Sequence, residues 1–190
     1  MSQKTAHLLS IGECFHIYNR GVDRKLFFFE EENYEFFLRR IDKYLDPSKL
    51  TLFVFCLMPN HFHFVFRQDQ PNALSEFMGR LCKSYAKAIN NRLDRSGHLF
   101  ESKYKLKHID EEMYLLNLSR YIHLNPVAAG LVTSPVQWQF SSYGSYCGLH
   151  GQAFVSTKEI LSLMKGSENY EEYVNGYKKE DRKVIAKYLF

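Results

Sequence analysis

Apolar positions along the chain recur with two periods, and the alternation between them lays out an order of elements. Residues 14–19, CFHIYN, are β-branched and aromatic with rough alternation and end at Arg20-Gly21, which predicts a first strand. From Glu30 to Leu45, the residues Tyr34, Phe37, Leu38, Ile41 and Leu45 repeat at spacings of three and four, an amphipathic helix that Asp46-Pro47 ends. Residues 50–57, LTLFVFCL, are continuously apolar; Met58-Pro59-Asn60 interrupts them, and residues 61–66 then alternate, predicting two strands joined by a tight turn. In the second strand Phe62, Phe64 and Phe66 share the face expected to meet the core, while His61, His63 and Val65 share the other. Residues 73–93 give the clearest helix, with Leu74, Phe77, Met78, Leu81, Tyr85 and Ile89 as its stripe and Arg80, Lys83 and Lys87 on another side. Lys103, Lys105 and Lys107 then alternate with Tyr104, Leu106 and His108, a strand with one basic face. A helix follows from about Glu111, capped by Asp110, to Asn125, where Pro126 is expected to stop it.

The order β-α-β-β-α-β followed by a helix predicts an α+β protein, a ferredoxin-like or RRM-like split βαβ sandwich with an antiparallel sheet. Past Gly130 the stretch VTSPVQWQFSSYGSYCGLHG reads as turns and loop, and residues 156–165 and 168–189 read as short helices. The expected division is a compact unit over 1–146 and a loop-and-helix tail over 147–190. No internal repeat or low-complexity segment interrupts it.

Composition narrows the class. With 190 residues, 45% apolar and 24% charged, the chain is expected to fold as one globular domain or one domain with an appendage. Cys14, Cys56, Cys82 and Cys147 lie far apart, without the C-x-x-C spacing of a zinc or redox motif, so reduced thiols are expected. The opening residues lack a basic segment followed by a long apolar one, and no later run reaches the roughly 18 apolar residues of a membrane span. The expectation is a soluble, cytoplasmic protein that does not engage a membrane. The net charge of +4 matters less than its placement: residues 60–109 hold nine Lys/Arg against four Asp/Glu, and the rest of the chain is nearly balanced. A basic middle suits a polyanion, and a solvated helix surface gives the same count. Sixteen Phe and 13 Tyr are more rings than a core of this size usually takes, which leaves some for stacking on bases.

Two small constellations carry candidate chemistry. His61 and His63 project from one strand face, as two ligands of one cation would, or as the polar face of a half-buried strand. Tyr121 and Asn125 stand four apart on one helical face. Asn125 could complete a metal site through its amide oxygen with Tyr121 a turn away; the plainer alternatives are a core tyrosine and a helix-end asparagine. Imidazole plus amide oxygen favours Mg²⁺ or Mn²⁺ over a structural zinc, which prefers a closed set of four N/S ligands. His123 points well away from Tyr121 around the helix and reads as a packing residue.

The segments Met58-Pro59-Asn60-His61-Phe62-His63, Gly97-His98-Leu99-Phe100 leading into Lys103-Tyr104-Lys105, and Arg120-Tyr121-Ile122-His123-Leu124-Asn125-Pro126-Val127 together resemble the single-tyrosine HUH transposases, and among them the REP-associated tyrosine transposases. The resemblance covers about residues 12–146. It implies His61 and His63 as metal ligands with Phe62 between them, Asn125 as the third ligand, and Tyr121 as the nucleophile on the final helix of the sandwich. It implies a divalent metal, Mg²⁺ or Mn²⁺, and a single-stranded DNA substrate with hairpin, REP-like elements, cut and rejoined through a 5′-phosphotyrosine. Arg80, Lys83, Lys87, Lys103, Lys105 and Lys107, with Arg120 beside the nucleophile, are the candidate DNA contacts. Trp138 and Phe140-Ser141-Ser142-Tyr143 resemble the closing motif of that family, with packing of the loop as the bland reading. A monomer and a homodimer both remain open, and the alternative in another class is a domesticated protein that binds hairpins without cutting them.

Overall fold

Strand β1 (Cys14–Arg20) runs inside a four-stranded antiparallel sheet of order β2-β3-β1-β4, whose other members are β2 (Leu50–Met58), β3 (His61–Gln68) and β4 (Lys105–Ile109). Helices α1 (Glu31–Tyr44) and α2 (Ala73–Arg92) supply the two crossovers of the split βαβ sandwich, and α3 (Glu112–Ala128) follows β4. This computed structural model describes residues 10–149 and 151–176, so the part of the expected helix over 168–189 that lies beyond Gly176 falls outside the described residues. No helix among them is long and apolar enough to cross a membrane.

Both faces of the sheet are covered. On one face, Phe62, Phe64 and Phe66 pack with Phe15, Ile17, Phe37 of α1 and Leu74, Met78, Leu81 and Tyr85 of α2, all buried. The predicted stripe of α2 is buried at every position. On the other face a second core joins Val54, Cys56, Met58 and Val65 to Leu118 and Ile122 of α3, and to Tyr143, Tyr146, Ile160, Tyr170 and Val174. These last belong to α4 (Tyr143–Tyr146), α5 (Lys158–Met164) and α6 (Ser167–Asn175). The second core therefore draws on residues before and after position 147.

Burial on two faces explains why residues 50–57 read as an unbroken apolar run. A bulge adds to it: Leu52 pairs with Phe66 and Val54 with Val65, so Phe53 is the extra residue. Phe53 and Val54 consequently both enter the second core, while Leu52 and Phe55 enter the first. The loop after α3 closes the other edge of β2, as Leu57 N–H donates to Phe140 O at 2.9 Å, Trp138 Nε1 donates to Leu57 O at 3.0 Å, and Phe140 stacks on Tyr34.

Two boundaries differ from expectation. The fourth strand starts at Lys105 rather than Lys103. Tyr18 pairs with Lys105, but Gly21 bridges to Phe100, so two residues are looped out between the registers and Lys103 leaves the strand face. Helix α3 is preceded by Glu111 without a side-chain cap bond, and it runs through Pro126 to Ala128. So close to the helix end the proline forfeits a single intrahelical bond, and Ala129 N–H still reaches Asn125 O at 2.9 Å.

Candidate active site

The site is assembled from the second face of β3. Because β1 runs antiparallel beside it, Tyr18 lies opposite His63 and Arg20 opposite His61, on the same face. The two-residue turn that delivers His61 is fixed from outside: Phe27 and Phe28 N–H groups both donate to Pro59 O, and Gly21 N–H donates to Asn60 O at 2.9 Å. The Asn60 amide donates through Nδ2 to Arg24 O at 3.0 Å, which turns its Oδ1 toward His61 Nδ1, 2.7 Å away. An amide oxygen can only accept, so His61 carries its proton on Nδ1 and presents a lone pair at Nε2.

His63 is 2% exposed, and its Nδ1 lies 2.9 Å from Nε2 of His16, a residue with no exposure at all. Its ring packs edge-to-face with His61 at 5.2 Å between centroids, and with Tyr121 at 6.0 Å and 84°. Burial is the main reason that protonation is disfavoured at all three imidazoles. It pushes His61 down to about 4, assisted by the Arg20 charge, and His16 down to about 3, assisted by Lys107. His63 is held well below the ordinary histidine value, by burial first and then by His16 and His61. Neutral imidazoles are the form that donates a lone pair to a metal.

Asn125 stands one turn beyond Tyr121 on α3, 9% exposed, and its Nδ2 is buried without a hydrogen-bond partner among the described residues. An amide not committed to a protein group is free to turn either end outward. Two imidazoles with Nδ1 engaged, plus an uncommitted amide, fit an N/O-ligated divalent cation. Among the described residues no group of three or more His, Cys, Asp or Glu side chains could hold an ion, so such a site depends on the amide.

Beside the imidazoles a cavity of about 250 Å³ is lined by Tyr18, Arg20, Arg24, Lys105 and Glu101 as well as His61 and His63. Arg20 is held by both carboxylate oxygens of Glu101, its Nη2 donating to Oε1 at 2.9 Å. Three cations face one carboxylate there, an arrangement suited to phosphate.

The remaining candidate DNA contacts are distributed unevenly. Lys105 and Lys107 lie on the imidazole face, opposite Tyr18 and His16 respectively, and the Lys105 ammonium sits 5.9 Å from the Tyr18 ring. Lys103 is displaced toward Tyr104 and shares a separate depression with Lys83. Arg80, Lys83 and Lys87 belong to α2, which covers the phenylalanine face, so the sheet stands between them and Tyr121. Arg120 is 8% exposed, with its guanidinium 4.2 Å over the Tyr173 ring and its Nη2 donating to Asn117 Oδ1 at 3.2 Å, so it joins α3 to α6. Sequence reasoning assigned no role to His16, Asn60, Arg20 or Arg24. The parity of CFHIYN, with His16 and Tyr18 on the side opposite Phe15 and Ile17, carried a trace of the first, but only the strand register puts it against His63.

The α+β sandwich thus carries a histidine pair on one strand with a tyrosine-bearing helix packed against it. The sequence profile of IS200-like transposases matches residues 14–125, more than half of the chain, and the chain belongs to that family. Among solved structures, one of a REP-associated tyrosine transposase bound to a REP hairpin superimposes with a TM-score of 0.63 at 14% identity, covering 78% of this chain and 93% of that one. The fold is thus that of the single-tyrosine transposases. No curated protein sequence matches the chain.

Proposed function

We propose that this protein cleaves and rejoins single-stranded DNA beside hairpins, with Tyr121 as the nucleophile and a divalent cation held by His61, His63 and Asn125. The observation that carries the reading is the edge-on contact of Tyr121 with His63, next to a cavity with three cationic side chains. The hairpin in the similar solved structure and the family of the chain support the substrate class.

Tyrosine ionises near pH 10, so at neutral pH only about a thousandth of an ordinary phenol is phenolate. A bound Mg²⁺ or Mn²⁺ would supply Lewis-acid polarisation of the scissile phosphate. The chain's own residues do the rest. Arg24 and Lys105 attract the backbone, Tyr18 offers a ring for a base, and α3 brings the Tyr121 ring edge-on to His63. Attack by that oxygen forms a P–O bond to the 5′ side and breaks the P–O3′ bond. The phenolic proton is lost, and the departing strand ends in a 3′-hydroxyl. A second 3′-hydroxyl attacking the phosphotyrosine reverses these changes and rejoins DNA without an added energy source, because one phosphodiester bond is exchanged for another.

The test uses hairpin oligonucleotides taken from repeats flanking the gene, labelled at either end, with Mn²⁺ or Mg²⁺ and a denaturing gel. Wild type is expected to retain the label of the downstream fragment as a protein adduct, and Tyr121→Phe to leave the DNA intact. Tight hairpin binding with neither cleavage nor adduct would overturn the reading in favour of a binding protein that does not cut.

A further inference from the structure

Buried beneath the histidine pair is a third imidazole that the chemistry above leaves without a role. His16 has no exposed surface, and its ring packs beside those of His63, at 5.2 Å and 19°, and Tyr18, at 5.0 Å and 29°, which are themselves 6.0 Å apart. Its Nε2 is 2.9 Å from His63 Nδ1, whereas its own Nδ1 is buried with no partner among the described residues. We propose that His16 is a positioning residue for the cation site: its Nε2 accepts the Nδ1–H of His63, fixing the ring plane of His63 and leaving His63 Nε2 as the donor to the cation. This rests on the metal reading under Proposed function.

Proton counting ties the direction of the bond to the use of His63 Nε2. A neutral imidazole carries one N–H, and the two facing nitrogens share a single hydrogen bond. If His16 donates, the proton of His63 must sit on Nε2, and no lone pair is left there for a cation. If His16 accepts, His63 is a competent ligand, and the proton of His16 is sent to Nδ1, where it finds no acceptor. In either direction His16 Nδ1 is left buried without a partner, as an N–H or as a bare acceptor, so the direction is set by whether the lone pair at His63 Nε2 is used. His61 reaches the same tautomer by a different route, through the Asn60 amide, so each histidine has its own partner behind it. Partners of this kind set the orientation and basicity of metal-bound imidazoles, and their loss typically weakens metal binding by about 10- to 100-fold.

Two substitutions separate positioning from packing. His16→Phe keeps a ring beside His63 and Tyr18 and removes the acceptor. His16→Gln restores an acceptor near the position of Nε2. Mn²⁺ binding to the full-length protein, read by electron paramagnetic resonance, is expected to weaken about 10- to 100-fold in His16→Phe and to recover most of the loss in His16→Gln, with both variants showing the wild-type circular dichroism. In ¹⁵N-histidine spectra of the Mg²⁺-saturated wild type, His63 is expected to carry its proton on Nδ1. Equal Mn²⁺ affinity in wild type and folded His16→Phe would overturn the positioning role while leaving the metal reading intact. If His16→Phe does not fold, a His63 protonated on Nε2 in the Mg²⁺-saturated wild type overturns it. Absence of any Mn²⁺ binding by wild type would overturn the metal reading, and the proposal with it.

Discussion

Gly21 has an ordinary negative φ of −65°, so backbone conformation does not require glycine there; space does. A Cβ at this position would lie 2.1 Å from Lys25 O, a backbone atom, and 3.2 Å from the Phe27 ring. The same residue donates to Asn60 O, the carbonyl of the residue before His61. Relief of the clash must move either the 21–27 loop or the turn that sets His61. Gly21→Ala is therefore expected to cost about 1–3 kcal/mol in urea denaturation, the range for overpacking, and to weaken Mn²⁺ binding as well. Gly79→Ala is the control. It sits inside α2 with nothing within 4 Å of the place an alanine methyl would take, so it should gain about 0.5–1 kcal/mol and leave metal binding unchanged. At this scale the sequence set His61 and His63 on one strand face and Tyr121 and Asn125 on one helical face by spacing, while the roles proposed for them rest on the family resemblance. The sequence could not carry Asn60 or His16, whose roles depend on hydrogen bonds across a turn and between strands.

Helix α3 carries Tyr121, and a continuous buried chain of hydrogen bonds fastens that helix to its neighbours. Phe55 N–H donates to Ser142 Oγ at 2.9 Å, and Ser142 lies 2.8 Å from His123 Nε2. On its other side His123 Nδ1 lies 2.8 Å from the Tyr170 hydroxyl, which donates to Ser119 Oγ at 3.1 Å, and Ser119 donates to Leu116 O at 2.8 Å. Followed in one direction, each hydroxyl in the chain donates once and accepts once, while the His123 ring accepts at Nε2 and donates from Nδ1, so β2, α3 and α6 are fastened together. Tyr170→Phe removes the middle link and strands both His123 Nδ1 and Ser119 Oγ. The expected loss is about 2 kcal/mol or more in urea denaturation, because two buried partners lose a bond together. Ser119→Ala in the Tyr170→Phe background should then cost less than it does alone; equal costs in both backgrounds would show the two side chains to be uncoupled. The helices that cover the first core were legible from their stripes, whereas α3 was harder to bound. It packs against the sheet on one side and against α6 and the Pro135–Gln137 turn on others, so its apolar residues do not keep to one face, and its end runs past a proline that normally marks a stop. The tail helices read as an appendage because each is short and amphipathic by itself. Their partner is a sheet face more than 50 residues earlier in the chain, and local pattern cannot reveal a second core of that kind.

Over the whole molecule the most unusual quantity is the number of rings, and the two cores show where they go. Tyr85, Tyr146 and Tyr170 have no exposed surface, Tyr143 is 2% exposed and Tyr34 is 6% exposed. Burial pushes Tyr34 up to about 12 and raises the other four, with nearby groups making smaller contributions. In the unfolded chain each phenol ionises near 10. Above that pH the unfolded state has shed protons that the folded state still holds, so stability is fully present below pH 10 and falls as pH rises past it. One unit above the unfolded value, each fully buried phenol costs about 1.4 kcal/mol, and Tyr85, Tyr146 and Tyr170 together about 4 kcal/mol. Against a usual total of about 5–15 kcal/mol, this is enough to bring the fold near its midpoint by roughly pH 11 to 12. These three residues divide between the two cores, Tyr85 in one and Tyr146 and Tyr170 in the other, so both sides of the sheet should fail together. Tyrosinate absorbance at 295 nm and circular dichroism at 222 nm are expected to change in one coincident transition for the buried phenols, after a first, gradual ionisation of the exposed ones. Ionisation of all 13 tyrosines with the helical signal intact would mean that water reaches these rings in the folded state, and would count against the tight two-sided packing that holds Tyr121 over the histidines.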